Sequence, residues 1–329
     1  MESEDIGERE FLSQIKYLVR KIPGSRLDFD DDASDIPLNE NESIVINVDT
    51  FVTSTDKLPG MSYAQSGRKT AVMTLSDLAA KGASPRGMLL SACVGNDSET
   101  ESMHECIRGF SQYCLKSDVP FLGGDLGYSK EIVLTGVGIG TASPPRIVTR
   151  SDAQPGDIIA VTDTFGLSSV AFKVLLEGYS AEEKLRNQAI KAAYKPDIHL
   201  HIVSELSKVS LVHSSMDSSD GLGITLNTLS EQSGSLFLID ELPVAAGVEK
   251  FAKKHNLDLI GVVMQGGEEF SLALTIPTEG WDDAVAIAKR KHTKLMPIGH
   301  VEEGSGVRYV GDSHERAIPA KGYDVLKKG

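Results

Sequence analysis

Apolar residues recur at helical spacing through residues 67–85, GRKTAVMTLSDLAAKGASP, where Ala71, Leu75, Leu78 and Ala79 share one face. That spacing predicts a packed helix, and Gly82 with Pro85 supplies its stop. One acid, Asp77, stands in the middle of it, between Leu75, Ser76, Leu78, Ala79 and Ala80. An Asp is a poor interior helix residue because its carboxylate competes for local backbone donors. Its small and apolar neighbours argue that it does not simply face water. Upstream, Phe11, Leu12, Ile15, Leu18 and Val19 predict a helix over residues 8–20 with one buried stripe. Runs at 44–48, 88–94, 119–125 and 131–140 read as strands, with a helix over 101–114. Asp49 and Asp125 fall at the ends of two of these strands.

The stretch TASPPRIVTRSDAQPGD, residues 141–157, is rich in Pro and polar residues and is the best boundary between units. It divides the chain into residues 1–145 and 146–329. Beyond it, IIAVTD reads as a strand, followed by helices at 167–176, 184–192 and 199–206. In VHSSMDSSDGL, Ser218 or Ser219 is placed to cap a helix running through Leu229. SLFLID, LIGVVM, SLALTI and LMPIGH then read as strands alternating with helices near 248–255 and from Trp281. Both halves are α/β in composition, and the strand order is not readable from the pattern.

Length and charge narrow the picture. A chain of 329 residues accommodates two ordinary domains. With 47 Asp plus Glu against 33 Lys plus Arg, the formal charge is −14, which argues against nucleic acid as a partner. Small phosphorylated substrates remain open, because metal ions can supply positive charge. Three cysteines, Cys93, Cys106 and Cys114, form no CxxC pair and read as reduced thiols. No segment has a signal peptide's pattern, and no apolar run approaches the ~20 residues that cross a bilayer. The expectation is a soluble, cytoplasmic protein.

Six acids stand out: Asp77 within its helix, Asp49 and Asp125 at strand ends, and Asp32, Asp217 and Asp220 in loops beside Ser, Gly or Ala. Two carboxylates ~4 Å apart repel by about 4 kcal/mol at an effective dielectric of ~20, so convergence of several would demand cations. Oxygen-only ligands point to Mg²⁺, and Mg²⁺ on a polyphosphate is what phosphoryl transfer needs. An EF-hand begun at Asp28 fails, with Ala33 at the glycine position and Asn39 at the bidentate-Glu position. GxxxxGK[ST], paired HRD and DFG, HExxH and GxSxG are all absent. GVGIG, residues 136–140, reads as a strand lined with glycines. Gly123-Gly124 ahead of Asp125 would let a phosphate approach the backbone, and Arg150 could pair with phosphate bidentately.

The ordered set DDDAS (30–34), NVDTF (47–51), LSDLAAKGASP (75–85), GGD (123–125), TRSDAQPGD (149–157), DSSDGL (217–222), GGEEF (266–270) and KGYD (321–324) resembles the thiamine-monophosphate kinase family, within the aminoimidazole ribonucleotide synthetase superfamily. Each motif alone is weak; eight in order, from Asp30 to Asp324, are specific. The resemblance implies an α/β (α+β) aminoimidazole ribonucleotide synthetase-like fold of two domains, the first binding metal and ATP. It implies a homodimer whose N-terminal domains pair their sheets into a barrel. The implied reaction is direct transfer of the ATP γ-phosphoryl to thiamine monophosphate, giving thiamine diphosphate and ADP. By motif, Asp32, Asp49, Asp77, Asp125, Asp217 and Asp220 would hold several Mg²⁺ ions. Asn47 and Val48 match positions that offer a side-chain or backbone oxygen beside the metals. Gly124, Arg150 and Ser219 match ATP contacts, and Glu268 matches a contact to the thiamine substrate.

The chain departs from the family's pattern at three places. The common GDD is Asp30-Asp31-Asp32, a frequent His on the substrate side falls at Asp56, and an aromatic before KGYD is Ala320. Asp56 is therefore a substrate-side candidate, and Tyr323 or Trp281 could supply stacking instead. The runners-up are another ATP-using member of the superfamily with a different phosphorylated acceptor, or a non-catalytic nucleotide-binding relative. A selenophosphate synthetase should carry an early reactive Cys, and a hydrogenase-maturation relative a Cys-containing tail; neither is present.

Overall fold

A computed structural model describes residues 7–95, 100–311 and 315–322. Five strands come from the first half: β1 (Ser34–Asn39), β2 (Glu42–Val52), β3 (Ser84–Gly95), β4 (Phe121–Ser129) and β5 (Val133–Ala142). They form one sheet in the order β1-β2-β5-β3-β4, antiparallel except for β3 beside β4. The second half supplies β6 (Ile158–Val161), β7 (Ser214–Asp217), β8 (Ser235–Ile239), β9 (Leu272–Ile276), β10 (Met296–Glu303), β11 (Gly306–Val310) and β12 (Glu315–Ala317). These form a second sheet, β12-β11-β8-β10-β6-β9-β7, in which β8 and β11 alone run parallel.

The helices are α1 (Glu8–Ile15), α2 (Thr53–Asp56), α3 (Tyr63–Ala80), α4 (Thr100–Lys116), α5 (Leu167–Leu175), α6 (Glu183–Tyr194), α7 (Ile202–Ser207), α8 (Leu222–Ser233), α9 (Val248–Lys254), α10 (Leu259–Met264) and α11 (Trp281–Arg290). The helix expected from residue 67 begins four residues earlier. Ser62 and Gln65 close a capping box there, each side chain bonding the other's backbone N–H. It ends where expected, with Gly82 at φ +68°. Ala71, Leu75, Leu78 and Ala79 are fully buried, but so are the polar Lys69, Thr70, Thr74, Ser76 and Lys81. α3 is therefore enclosed nearly all round. The largest buried apolar cluster joins residues of both halves, from Leu75 and Phe110 to Val170 and Phe251.

Four expectations are corrected. LIGVVM is helix α10, capped by Asp258 at the Gly261 amide, not a strand; a short apolar run does not distinguish the two. Ser218 and Ser219 do not cap α8, whose N-cap is Gly221 with no side-chain bond. Asp49 and Asp125 lie within β2 and β4, not at their ends. The helix expected over 8–20 ends at Ile15, followed by a 3-10 turn through Leu18, and its stripe is not covered: Phe11 is 43% and Leu18 65% exposed.

The alternate glycines of β5 have a packing cause. A Cβ on Gly136 would lie 2.1 Å from Thr74 Oγ1, and one on Gly138 would lie 2.4 Å from Asn47 Oδ1. Gly138 is also the register partner of Asn47 on β2. Bare backbone lets α3 lie flat on the sheet and leaves room for the Asn47 side chain.

Candidate active site

Three of the predicted acids converge from three separate elements. Asp32 comes from the loop before β1, Asp77 from α3 and Asp217 from the end of β7, and their nearest carboxylate oxygens lie within 4.8 Å of one another. Ser76 Oγ donates to Asp217 Oδ2 at 2.6 Å. Asn47 Nδ2 donates to Asp77 Oδ2 at 3.0 Å and to the Thr74 carbonyl at 2.9 Å. That leaves Asn47 Oδ1 buried without a hydrogen-bond partner, on the same side chain that touches Asp77.

The electrostatics follow from burial and crowding. Burial first, then the charges of Asp217, Asp49 and Asp32, pushes Asp77 well above the usual carboxylate range. Burial and the Asp32 charge push Asp217 up to about 7. Asp32 goes the other way. Burial works to raise it, but the charges of Arg150 and Lys81 outweigh that and hold it low.

Besides the exposed Lys16 paired to Asp30, two enclosed cations hold Asp31 and Asp32. Lys81 is fully buried at the end of α3, with its ammonium paired to Asp31, 2.7 Å from Asp32 Oδ2 and 3.0 Å from the Ser215 carbonyl. Arg150 places Nε 3.0 Å from Asp32 Oδ1, pairs Nη2 to the same oxygen, and donates Nη1 to the Asp30 carbonyl at 2.6 Å. Its fork is engaged by the acids rather than solvated, unlike a free linker arginine. Lys81 escaped the sequence reading. The available signal was its position four residues after Asp77, on the same helix face.

Three oxygen-bearing acids, an unpaired amide oxygen and no sulfur or imidazole make a donor set suited to Mg²⁺. A 380 Å³ cavity adjoins it, lined by Asp31, Asp32, Asn47 and Val48 among others. Val48 itself points its side chain to the outer face of the sheet and is 65% exposed.

The remaining candidates fall into two places. Gly124 and Asp125 lie on the edge strand β4, where Asp125 is exposed and stands outside the trio. The missing side chain of Gly124 also serves the sheet, since a Cβ would lie 1.8 Å from the Leu90 carbonyl oxygen. Ser219 and Asp220 belong to the DSSDGL loop, zipped to the GGEEF loop by backbone bonds. Glu268 N donates to Ser219 O at 2.6 Å, and Phe270 N to Ser218 O at 2.9 Å. Glu268 and Phe270 hold φ of +63° and +53°, unusual for side-chain-bearing residues.

Glu268 ion-pairs with the buried Lys69 of α3 and feels the charge of Asp56. Asp56 accepts the Val52 amide at 2.7 Å from α2. Glu269, the next residue, is pushed up to about 8 by burial although Ser168 donates to it. Trp281 packs into the apolar cluster of Leu274 and Ala284, so it is committed to the core. Ala320 is exposed, and Tyr323 lies outside the described residues.

Comparisons with known proteins place the chain in a family. Residues 30–142 match the family model of the AIR synthase related protein, N-terminal domain. The thiamine-monophosphate kinase of Nitrosopumilus maritimus is 31% identical over 309 residues, covering 94% of this chain and 96% of that protein. That of Pyrococcus horikoshii is 30% identical over 91% of each chain. The solved structure of AaThiL complexed with AMPPCP and TMP superposes with a TM-score of 0.84 at 25% identity, over 99% of both chains. By sequence and by fold, the chain belongs to the thiamine-monophosphate kinase family.

Proposed function

We propose that this protein transfers the γ-phosphoryl group of ATP directly to thiamine monophosphate, giving thiamine diphosphate and ADP. The observation that carries the reading is the meeting of Asp32, Asp77 and Asp217 within 4.8 Å, beside the unpaired Asn47 Oδ1. The same relationship supports ATP as co-substrate, since AaThiL was solved with AMPPCP and TMP. Asp32, Asn47, Asp77 and Asp217 would hold Mg²⁺, with Asp49, Asp220, the exposed Asp125 and an oxygen of Val48 completing the set. Bound there, the ions would neutralise phosphate charge.

The chain's own residues do the rest. Lys81 and Arg150 keep Asp32 ionised, and so ready to serve as a ligand. Arg150, Gly124 and Ser219 face the nucleotide phosphates on this reading, while Glu268 and Asp56 face the acceptor. Direct transfer requires no covalent intermediate on the protein, so positioning and charge neutralisation account for the catalysis.

We further propose a homodimer formed through the five-stranded sheet. One face of that sheet packs on α3, while the other carries Ile46, Val48, Val137, Ile139 and Leu89, with Val48 65% exposed. Such a broad apolar face needs a cover, and a second copy supplies it. Units divided at 145/146 and a cytoplasmic setting complete the proposal. Three free cysteines suit a reducing compartment, and among the described residues no helix is long and apolar enough to cross a membrane.

Incubation with ATP, Mg²⁺ and thiamine monophosphate, with the product identified by mass, tests the reaction. Thiamine diphosphate is expected, and phosphorylation of a different acceptor alone would refute the substrate. Sedimentation gives the mass of the assembly.

A further inference from the structure

Lys69 sits on α3 eight residues before Asp77, about 12 Å along the helix axis at 1.5 Å per residue. Its side chain is fully buried, its ammonium is paired with Glu268 Oε1, and it lies 5.8 Å from the centre of the Phe51 ring. Apart from that ion pair it makes no hydrogen bond. A buried ammonium is costly unless paired, so the pair with Glu268 is what makes this position tolerable.

Glu268 needs the pair equally. It is held at φ +63°, its amide is fixed to Ser219, its Oε2 is buried without a hydrogen bond, and Asp56 lies within electrostatic range. A buried carboxylate within range of a second acid would turn away or take up a proton without the neighbouring cation. We propose that Lys69 is a positioning residue for the acceptor: its buried ammonium fixes the Glu268 carboxylate in one orientation and offsets one of the two negative charges of Asp56 and Glu268. The acceptor side then presents one net negative charge, matched to a ligand with a single cationic ring such as a thiazolium. One helix thereby sets both halves of the site, metal-facing through Asp77 and acceptor-facing through Lys69.

This inference rests on the reading of Glu268 as an acceptor contact, and the experiment separates the two. Steady-state kinetics are measured with thiamine monophosphate and ATP varied in turn, for Lys69→Met, Lys69→Arg, Glu268→Gln and the Lys69→Met/Glu268→Gln double variant. Lys69→Met should raise KM for thiamine monophosphate about tenfold or more, the scale expected for breaking a buried ion pair, with KM for ATP unchanged. Lys69→Arg should recover part of that loss, and the double variant should be no worse than Glu268→Gln alone, since the two residues act as a unit. Equal changes in both KM values, or additive losses in the double variant, would reduce Lys69 to a packing role and overturn the inference while leaving Glu268 in place. If Glu268→Gln leaves KM for thiamine monophosphate unchanged, Glu268 is not an acceptor contact and the inference falls with it. Should Lys69→Met fail to fold, Lys69→Arg keeps Glu268 paired. Its acceptor KM is then expected to rise several-fold, and an unchanged value overturns the proposal.

Discussion

Ser76 donates a 2.6 Å hydrogen bond to Asp217, and the residue that follows Ser76 is Asp77. One turn of α3 therefore orients an acid from the second sheet with a serine and sets its own acid against it. Two carboxylates are thus forced together by elements far apart in the chain, Asp77 on α3 and Asp217 on β7. Both are raised above the ordinary carboxylate range, by burial first. The cluster is costly by itself and becomes favourable with a divalent cation.

Asp77→Asn follows directly. The variant keeps size and shape but removes one of the mutually repelling charges. The metal-free protein should melt at the same temperature as the parent or higher. Activity should fall about a hundredfold or more, because the amide is a poor Mg²⁺ ligand and phosphate charge loses its neutralising ion. Mg²⁺ with nucleotide at ~100 times its dissociation constant should stabilise the parent by about 2.7 kcal/mol, and the variant by less. Paired melting curves and rates decide it: lower apo stability with activity kept would make Asp77 a structural acid.

Gly138→Ala tests the geometry from the opposite strand. The new methyl would lie 2.4 Å from Asn47 Oδ1, so either Asn47 or α3 must move. Overpacking of this kind costs about 1–3 kcal/mol. The expected result is a lower melting temperature together with weaker Mg²⁺ binding, measured by calorimetry. Unchanged Mg²⁺ affinity would remove Asn47 from the ligand set.

The meeting of Asp32, Asp77 and Asp217 is only partly legible in the sequence. Asp77 stood out because a lone acid in a small, apolar helix contradicts local propensity, and such conflicts gather at functional sites. The glycines of β5 were visible as a pattern, but the helix they accommodate was not. Strand order and the meeting of Asp32 with Asp217 are long-range facts that no local period encodes. Lys69 and Lys81 were missed for a related reason. A lysine on a helix normally reaches water, and only the tertiary structure shows that these two are enclosed and paired with acids distant in sequence. LIGVVM was misread because six apolar residues carry no period long enough to separate helix from strand.

Arg150→Lys should be harmful although it keeps the charge. The guanidinium binds Asp32 through two nitrogens and the Asp30 carbonyl through a third, a fork that one ammonium cannot reproduce. A loss of about tenfold in kcat/KM is expected for Lys and a larger one for Ala. Apo stability should also drop, since Asp32 would keep Lys81 as its remaining strong partner. Kinetics and melting at the parental level in the Lys variant would return Arg150 to the role of a solvated linker residue.

Glu269 gives a pH dependence separate from the metal cluster. Burial pushes its carboxyl up to about 8, and Ser168, which donates to it, offsets only part of that. Its Oε2 is buried without a partner. A folded-state value above the unfolded one means that the native protein binds the extra proton, so stability falls as pH rises. The loss should begin near the ordinary Glu value of ~4.3 and be complete above pH 8, at up to about 1.4 kcal/mol per pH unit within that window. Glu269→Gln keeps an oxygen for Ser168 and carries no charge. Compared with the parent, the variant should gain stability steadily from pH 5 to about pH 8, level off above that, and show no advantage at pH 4, as read from denaturant midpoints. Parallel curves for the two proteins across that range would mean that Glu269 is ionised and solvated in the folded state, and the burial argument would then be wrong.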